Sequence, residues 1–306
     1  MQGKADTHVH TKYSGVHRMG PLRFPESVSD PADVVKAARS AGMNVVCITD
    51  HNSIAGARKA NAASKRIEGI EVVMGEEVST ADGEVIALFI EDEIPAGLSA
   101  VETIARIRAQ DGVVIAPHPF SLHCPCLGER IAELGVDGIE VLNGGHLDDY
   151  ANPRAMKAAE SGRFARMGGS DSHSLKTIGC AHTLFEGSTS EDLRREILAK
   201  RTSAGGNPMP LDNAIAWSVG VVIESDRLIL RSFLGLDKEP TDDPIVWRVQ
   251  RMKLGQKLGA LFGSLVFFLP PVPYLAAMAT QRVLGDRADD EQSSQRKGLD
   301  RIGPFY

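Results

Sequence analysis

Cysteine is scarce in this chain: four in 306 residues, Cys47, Cys124, Cys126 and Cys180. They form no paired C-x-x-C knuckles, and Cys124-Pro125-Cys126 is too tight for an ordinary disulfide. That argues against a disulfide scaffold or a cysteine-based zinc module, and reduced thiols in a cytoplasmic protein are the expectation. Positive charge is not in excess either. Lys and Arg number 34 against 40 Asp and Glu, a net charge of −6, so any contact with nucleic acid must be local. There is no G-x-S-x-G elbow and no Walker loop, which removes two common ways of attacking or cradling a phosphate or acyl group. No internal repeat or low-complexity tract stands out, and nothing ahead of the first strand-like motif reads as a signal peptide.

What is present is an ordinary soluble composition, 42% hydrophobic and 24% charged, enough for a sizeable core. Residues 1–204 alternate between short apolar runs and helical patterns. Strands are expected at 6–10, 44–49, 71–78, 84–90, 113–116, 138–142 and 164–167, and helices at 31–41, 54–68, 98–110, 153–161 and 191–200. This alternation predicts an α/β fold with a mostly parallel sheet, for which a barrel is the natural closed form. Residues 205–306 read as a separate extension. It begins with a short hairpin (217–224 and 227–233 around Glu224-Ser225-Asp226), followed by an uncharged segment at 258–281 and a polar tail.

Polar residues gather at the ends of the predicted strands, where an α/β barrel carries its chemistry. In His8-Val9-His10 the histidines lie at i and i+2, on one face of a strand, so both imidazoles can reach one ion. Alone, such a pair is a weak signal. Thr49-Asp50-His51-Asn52 follows a buried run, where Asp and His are costly unless partnered; the alternative is that Asp50 caps the next helix. In Gly75-Glu76-Glu77-Val78, Glu77 suits a carboxylate bridging two ions better than Glu76. His118 is stiffened by Pro117 and Pro119, and Asp171 and His173 offer oxygen and nitrogen donors two residues apart after a glycine pair. Together these mixed donors suit two or three divalent ions such as Zn, Mn or Fe. Such ions acidify a water and clamp both oxygens of a phosphoryl transfer, so no side-chain nucleophile is needed.

Six motifs, DTHVHTKYSG (6–15), CITDHN (47–52), GEEVS (75–79), APHPF (116–120), IEVLN (139–143) and GGSDSH (168–173), resemble the PHP (polymerase and histidinol phosphatase) superfamily over about 200 residues. The resemblance implies a distorted (β/α)7 barrel that binds two or three metals and hydrolyses phosphate esters. It implies His8 and His10 with Asp171 on one ion and Glu77 as the bridge. His51, His118 and His173 complete the other positions, with Glu77, Asp171 and His118 next to the chemistry and Asp50 behind the ligands. Two positions depart from the family pattern. Gly15 stands where many relatives have an aspartate, with His17 as a candidate substitute, and Asn143 stands where histidine is common, with His146 as a candidate stand-in.

Arg18 and His123 are the candidates for holding the non-reacting part of a substrate. The barrel region lacks interleaved aromatic and basic clusters, which favours a small phosphorylated substrate or nucleotide, with nucleic acid only as short 5′ ends. The segment 258–281 is long enough for a membrane span but is interrupted by Pro270, Pro271 and Pro273. With basic residues on either side, it reads as a peripheral anchor of a cytoplasmic protein at the inner membrane face, or else as a buried helical hairpin or an oligomer contact. Two other functions fit the same motifs, a metal-stabilised regulatory module without turnover and a C–N bond hydrolase.

Overall fold

The computed structural model describes the backbone of residues 1–19 and 22–301, and the side chains of that span except at 17–19, 22, 23, 290 and 292–301. Apolar runs form the strands: β1 (Gln2–Val9), β2 (Val16–Met19), β3 (Leu22–Pro25), β4 (Val45–Ile48), β5 (Glu71–Thr80) and β6 (Gly83–Leu88). They continue with β7 (Val113–Ala116), β8 (Gly138–Asn143), β9 (Ala165–Gly169), β10 (Ala181–Glu186) and β11 (Ser203–Gly206). Between them lie α1 (Pro31–Ser40), α2 (Ala55–Ser64), α3 (Ala100–Ala109), α4 (Ala151–Ala159) and α5 (Ser190–Leu198). Local chemistry sets several helix starts. Asp30 accepts the Ala32 amide with Pro31 at the first position of α1, and Ser99 with Glu102 forms a capping box on α3.

Nine strands form one sheet in the order β11-β10-β1-β4-β5-β6-β7-β8-β9. The β1–β4, β4–β5, β7–β8 and β8–β9 pairs are parallel and the other four are antiparallel, so the sheet is mixed rather than mostly parallel. The ends of the sheet meet: the Thr7 hydroxyl donates to the Gly168 carbonyl at 3.0 Å, the Gly168 amide donates to Thr183 Oγ1 at 2.9 Å, and Val9 bridges Ser172. A nearly closed, barrel-like sheet in an α/β fold is therefore present, as expected. Its core is aliphatic, with Val45, Cys47, Ile86, Ile115 and Met167 fully buried.

One reversal positions the site. A tight turn at Ala81-Asp82 sends β6 back antiparallel to β5, with Gly83 at φ +136°. A Cβ there would lie 2.5 Å from the Cys126 carbonyl carbon, so glycine is required. As a result Glu84, at the start of β6, pairs with Ser79 near the C-terminal end of β5.

The extension is helical: α6 (Leu211–Phe233), α7 (Pro244–Arg251), α8 (Leu254–Phe267) and α9 (Val272–Arg301). The hairpin expected at 217–233 is a single 23-residue helix. Val221, Leu228 and Ile229 are buried along one face, and this helical spacing overrides the strand preference of the β-branched residues. No single described helix is long and apolar enough to cross a membrane, and α8 and α9 meet at a bend of 82° around the prolines. The extension docks on the barrel. Trp217 Nε1 donates to the Glu26 carbonyl at 2.9 Å, Lys12 Nζ pairs with Asp243 at 2.8 Å, and Arg287 donates to the Leu122 carbonyl at 2.9 Å.

Candidate metal centre

Period-two alternation on β5 decides between its two glutamates. Glu76 turns to the opposite face of the sheet, where its buried carboxylate accepts the Ile94 amide at 2.9 Å. Glu77 turns inward, is 1% exposed, and gathers three imidazoles: His8 Nε2 at 3.1 Å, His51 Nδ1 at 3.2 Å and His118 Nε2 at 3.0 Å. From the loop after β9, Asp171 Oδ1 lies 3.5 Å from His8 Nε2 and 3.2 Å from His10 Nε2. The His8 and His10 Nε2 atoms are 3.0 Å apart, and His173 stacks on His10 with ring centroids 4.3 Å apart. The structure thus brings His8, His10, His51, Glu77, His118, Asp171 and His173 into one pocket. The side chains of His17 and Arg18 lie outside the described residues. His123 is not in this group; its ring sits 4.9 Å from that of His146.

Three carboxylates that sequence reasoning passed over complete the pocket. Glu84 lies 3.7 Å from both His51 and His118, placed there by the reversed β6. Glu26, after β3, lies 3.6 Å from His51 Nε2, and no sequence signal marks it. Glu140 was legible in principle as a lone charge in the apolar strand Gly138–Asn143. It holds His8 Nδ1 at 3.0 Å, accepts the His118 amide at 2.9 Å and accepts the Asn143 side-chain amide at 3.0 Å. Gly169 makes room for it, since a Cβ there would lie 2.4 Å from Glu140 Oε1. Asn143 also donates to Asp171 Oδ2 at 3.2 Å, so it ties two carboxylates together.

The supporting residues act through the backbone. Asp6 accepts the amides of Ser170 at 2.9 Å and Gly179 at 2.7 Å, which locks the loop carrying Asp171 to β1. Burial still pushes the Asp6 carboxyl up to about 6, the amide bonds notwithstanding. Asp50 accepts the Thr11 amide and hydroxyl at 2.5 and 2.7 Å, fixing the chain next to His10 rather than capping α2. Asp171 and His118 sit at φ +50° and +28°, left-handed conformations that cost about 1–3 kcal/mol each for non-glycine residues and cluster at functional sites.

The electrostatics show a pocket short of positive charge. Burial and the neighbouring Glu77 push Glu26 up to about 7 and Glu84 up to about 8. Burial holds His10 and His51 down at about 4, so both are neutral and have lone pairs free. Burial likewise opposes a charge on His8, but Asp171, Glu140 and Glu77 hold it well above the usual histidine range. The buried Nδ1 atoms of His51 and His118 and Oε2 of Glu26 have no hydrogen-bond partner among the described residues. Three sets of donors, His8–His10–Asp171, His8–Glu77–His118 and His51–Glu77–Glu84, each have one atom per residue within 4.8 Å of the others, and His10–His51–His173 make a fourth. The neutral imidazoles of His10 and His51, the carboxylates converging on His8 and His118, and the orphaned donor atoms together fit divalent cations.

Residues 6–116 match the PHP domain and residues 149–202 match a PHP-associated region. An uncharacterised protein of Methanocaldococcus jannaschii is 48% identical over 153 residues, which span 50% of this chain and 89% of that protein. A 5'-3' exoribonuclease of Haemophilus influenzae is 35% identical over 80 residues, 26% of this chain and 25% of that protein. PsfC from Pseudomonas syringae PB-5123 superposes with a TM-score of 0.50 at 21% identity, over 67% of this chain and 92% of its own, a likeness of fold. By these matches the chain belongs to the PHP superfamily.

Proposed function

We propose that this chain is a metal-dependent hydrolase of phosphate esters, acting on a small phosphomonoester, a nucleotide or the 5′ end of a short oligonucleotide. The observation that carries this reading is the convergence of five histidines and Asp171 around Glu77, with His8, His51 and His118 all within 3.2 Å of it. Divalent ions, when held by these residues, would supply Lewis acidity to the phosphoryl oxygens and ease deprotonation of the attacking water at neutral pH. Glu77 is placed to bridge two donor sets, since it belongs to both the His8–His118 and the His51–Glu84 groups. Asp171 with His8 and His10 forms a third. Glu140 orients His8 through Nδ1 and the His118 backbone through its amide, so the imidazoles present fixed faces to the pocket. Trp217, its ring 5.6 Å from that of His173, supplies an aromatic wall, and this supports a nucleotide-like substrate. The relative that is an exoribonuclease supports the same class.

The test is a panel of p-nitrophenyl phosphate, nucleoside 5′-monophosphates and short 5′-phosphorylated oligonucleotides, run with added Zn, Mn or Fe. Turnover is expected for at least one class, and His8→Ala with His10→Ala should abolish both turnover and bound metal. Metal-dependent melting with no hydrolysis across the panel sinks the enzymatic reading in favour of a regulatory module.

We further propose a cytoplasmic protein whose α7–α9 region rests on the inner face of an anionic membrane. Uncharged residues 258–281 leave Phe262 69% and Leu265 68% exposed, with Leu258, Leu269 and Leu275 also exposed. Arg248, Arg251, Lys253, Lys257 and Arg282 flank them, which matches an anionic lipid surface in charge.

A further inference from the structure

His146 is 2% exposed, yet neither ring nitrogen has a hydrogen-bond partner among the described residues. Two residues on, Asp148 is fixed at the start of α4, where one carboxylate oxygen accepts the amides of Tyr150 at 2.9 Å and Ala151 at 2.8 Å. Its other oxygen is buried and unpartnered, and lies 3.3 Å from His146 Nδ1 without the alignment of a hydrogen bond. His123, from the loop after β7, turns its ring edge-on to His146 at 4.9 Å. One donor atom from each of the three lies within 4.8 Å of the others. Leaving a buried polar group unsatisfied is costly, and here both His146 and Asp148 carry such atoms. Two imidazoles and one carboxylate make a donor set for Zn, Mn or Fe with coordination positions left open. His123 is exposed and shares a groove with Thr280, Val283 and Arg287 of α9, so an ion can enter from solvent.

We propose that His123, His146 and Asp148 form a divalent-cation site of their own beside the main centre, with the His146 ring 6.1 Å from that of His118. His146 is then a ligand of this second site rather than a replacement for the histidine missing at Asn143. Asn143 instead fixes the approach to the site, its side-chain oxygen accepting the Gly145 amide at 2.8 Å.

The test uses full-length protein stripped with a chelator and titrated with Zn²⁺ alone, with bound metal counted by elemental analysis after desalting. Asp148→Asn keeps the oxygen that accepts the two amides and removes the charge, and His123→Gln alters only the exposed ligand. Each is expected to bind one ion fewer per chain than wild type, or to bind its last ion at least tenfold more weakly. Adding Asp148→Asn to a His8→Gln/His10→Gln protein should remove one further ion. Equal counts and affinities in wild type, Asp148→Asn and His123→Gln overturn the proposal. If His8→Gln/His10→Gln binds as many ions as wild type while Asp148→Asn loses one, this site stands and the reading of the main centre fails.

Discussion

Glu140 shows how one carboxylate can organise a pocket without facing its centre. It holds the ring of His8, the backbone of His118 and the amide of Asn143 at 3.0, 2.9 and 3.0 Å. Glu140→Gln keeps the shape but cannot serve these three groups as an anion. Metal affinity in an equilibrium titration should fall roughly 10–100-fold, the usual effect of disturbing a ligand's hydrogen-bond partner. Unchanged affinity means that His8 is oriented by something else. At this scale much of the site was legible. Strand ends rich in histidine and acid named seven pocket residues, because unpaired charge in an apolar strand is costly and so marks function. Which of Glu76 and Glu77 faces the pocket is decided by side-chain alternation on β5, visible once the strand is placed. Glu84 was not legible, because its place depends on a chain reversal at Ala81-Asp82 whose consequence appears only once strands are paired. Glu26 depends on β3 folding toward His51, which no local pattern encodes.

Elements were legible where periodicity and caps agreed, as at α1 and α3, and misread where they competed. In α6 the run Val221-Val222-Ile223 followed by Glu224-Ser225-Asp226 has the composition of a strand and a turn, but burial at helical spacing decides the outcome. Helix α5 carries a pH-dependent tie. Glu196, 2% exposed, accepts Arg201 through two nitrogens at 2.8 and 2.6 Å. Those bonds outweigh burial and hold its carboxyl below the ordinary value of 4.5. The folded form therefore favours the carboxylate, so the stabilisation is complete above that value and is lost as pH falls through the lower, folded one. Glu196→Gln should lower Tm at pH 7, with the deficit shrinking once pH drops below 4.5. A deficit that is constant with pH contradicts the ion-pair account. The exposed apolar face of α8 makes a separate prediction. The full chain should co-sediment with vesicles containing phosphatidylglycerol more than with pure phosphatidylcholine, and Phe262→Asp with Leu265→Asp should abolish the difference. Equal sedimentation of wild type with both lipids removes the membrane from the account.

For the whole molecule, closure of the barrel converts scattered residues into a centre. Thr7, Gly168 and Thr183 join the sheet ends, and only then do His8 of the first strand and Asp171, 163 positions later, lie 3.5 Å apart. The most direct test of that centre is anomalous diffraction from crystals soaked in Mn²⁺. At least two peaks are expected, at about 2.0–2.3 Å from ligand atoms of His8, His10, Asp171, Glu77 and His118. Crystals that show no Mn²⁺ in this pocket, or Mn²⁺ bound only elsewhere, contradict it.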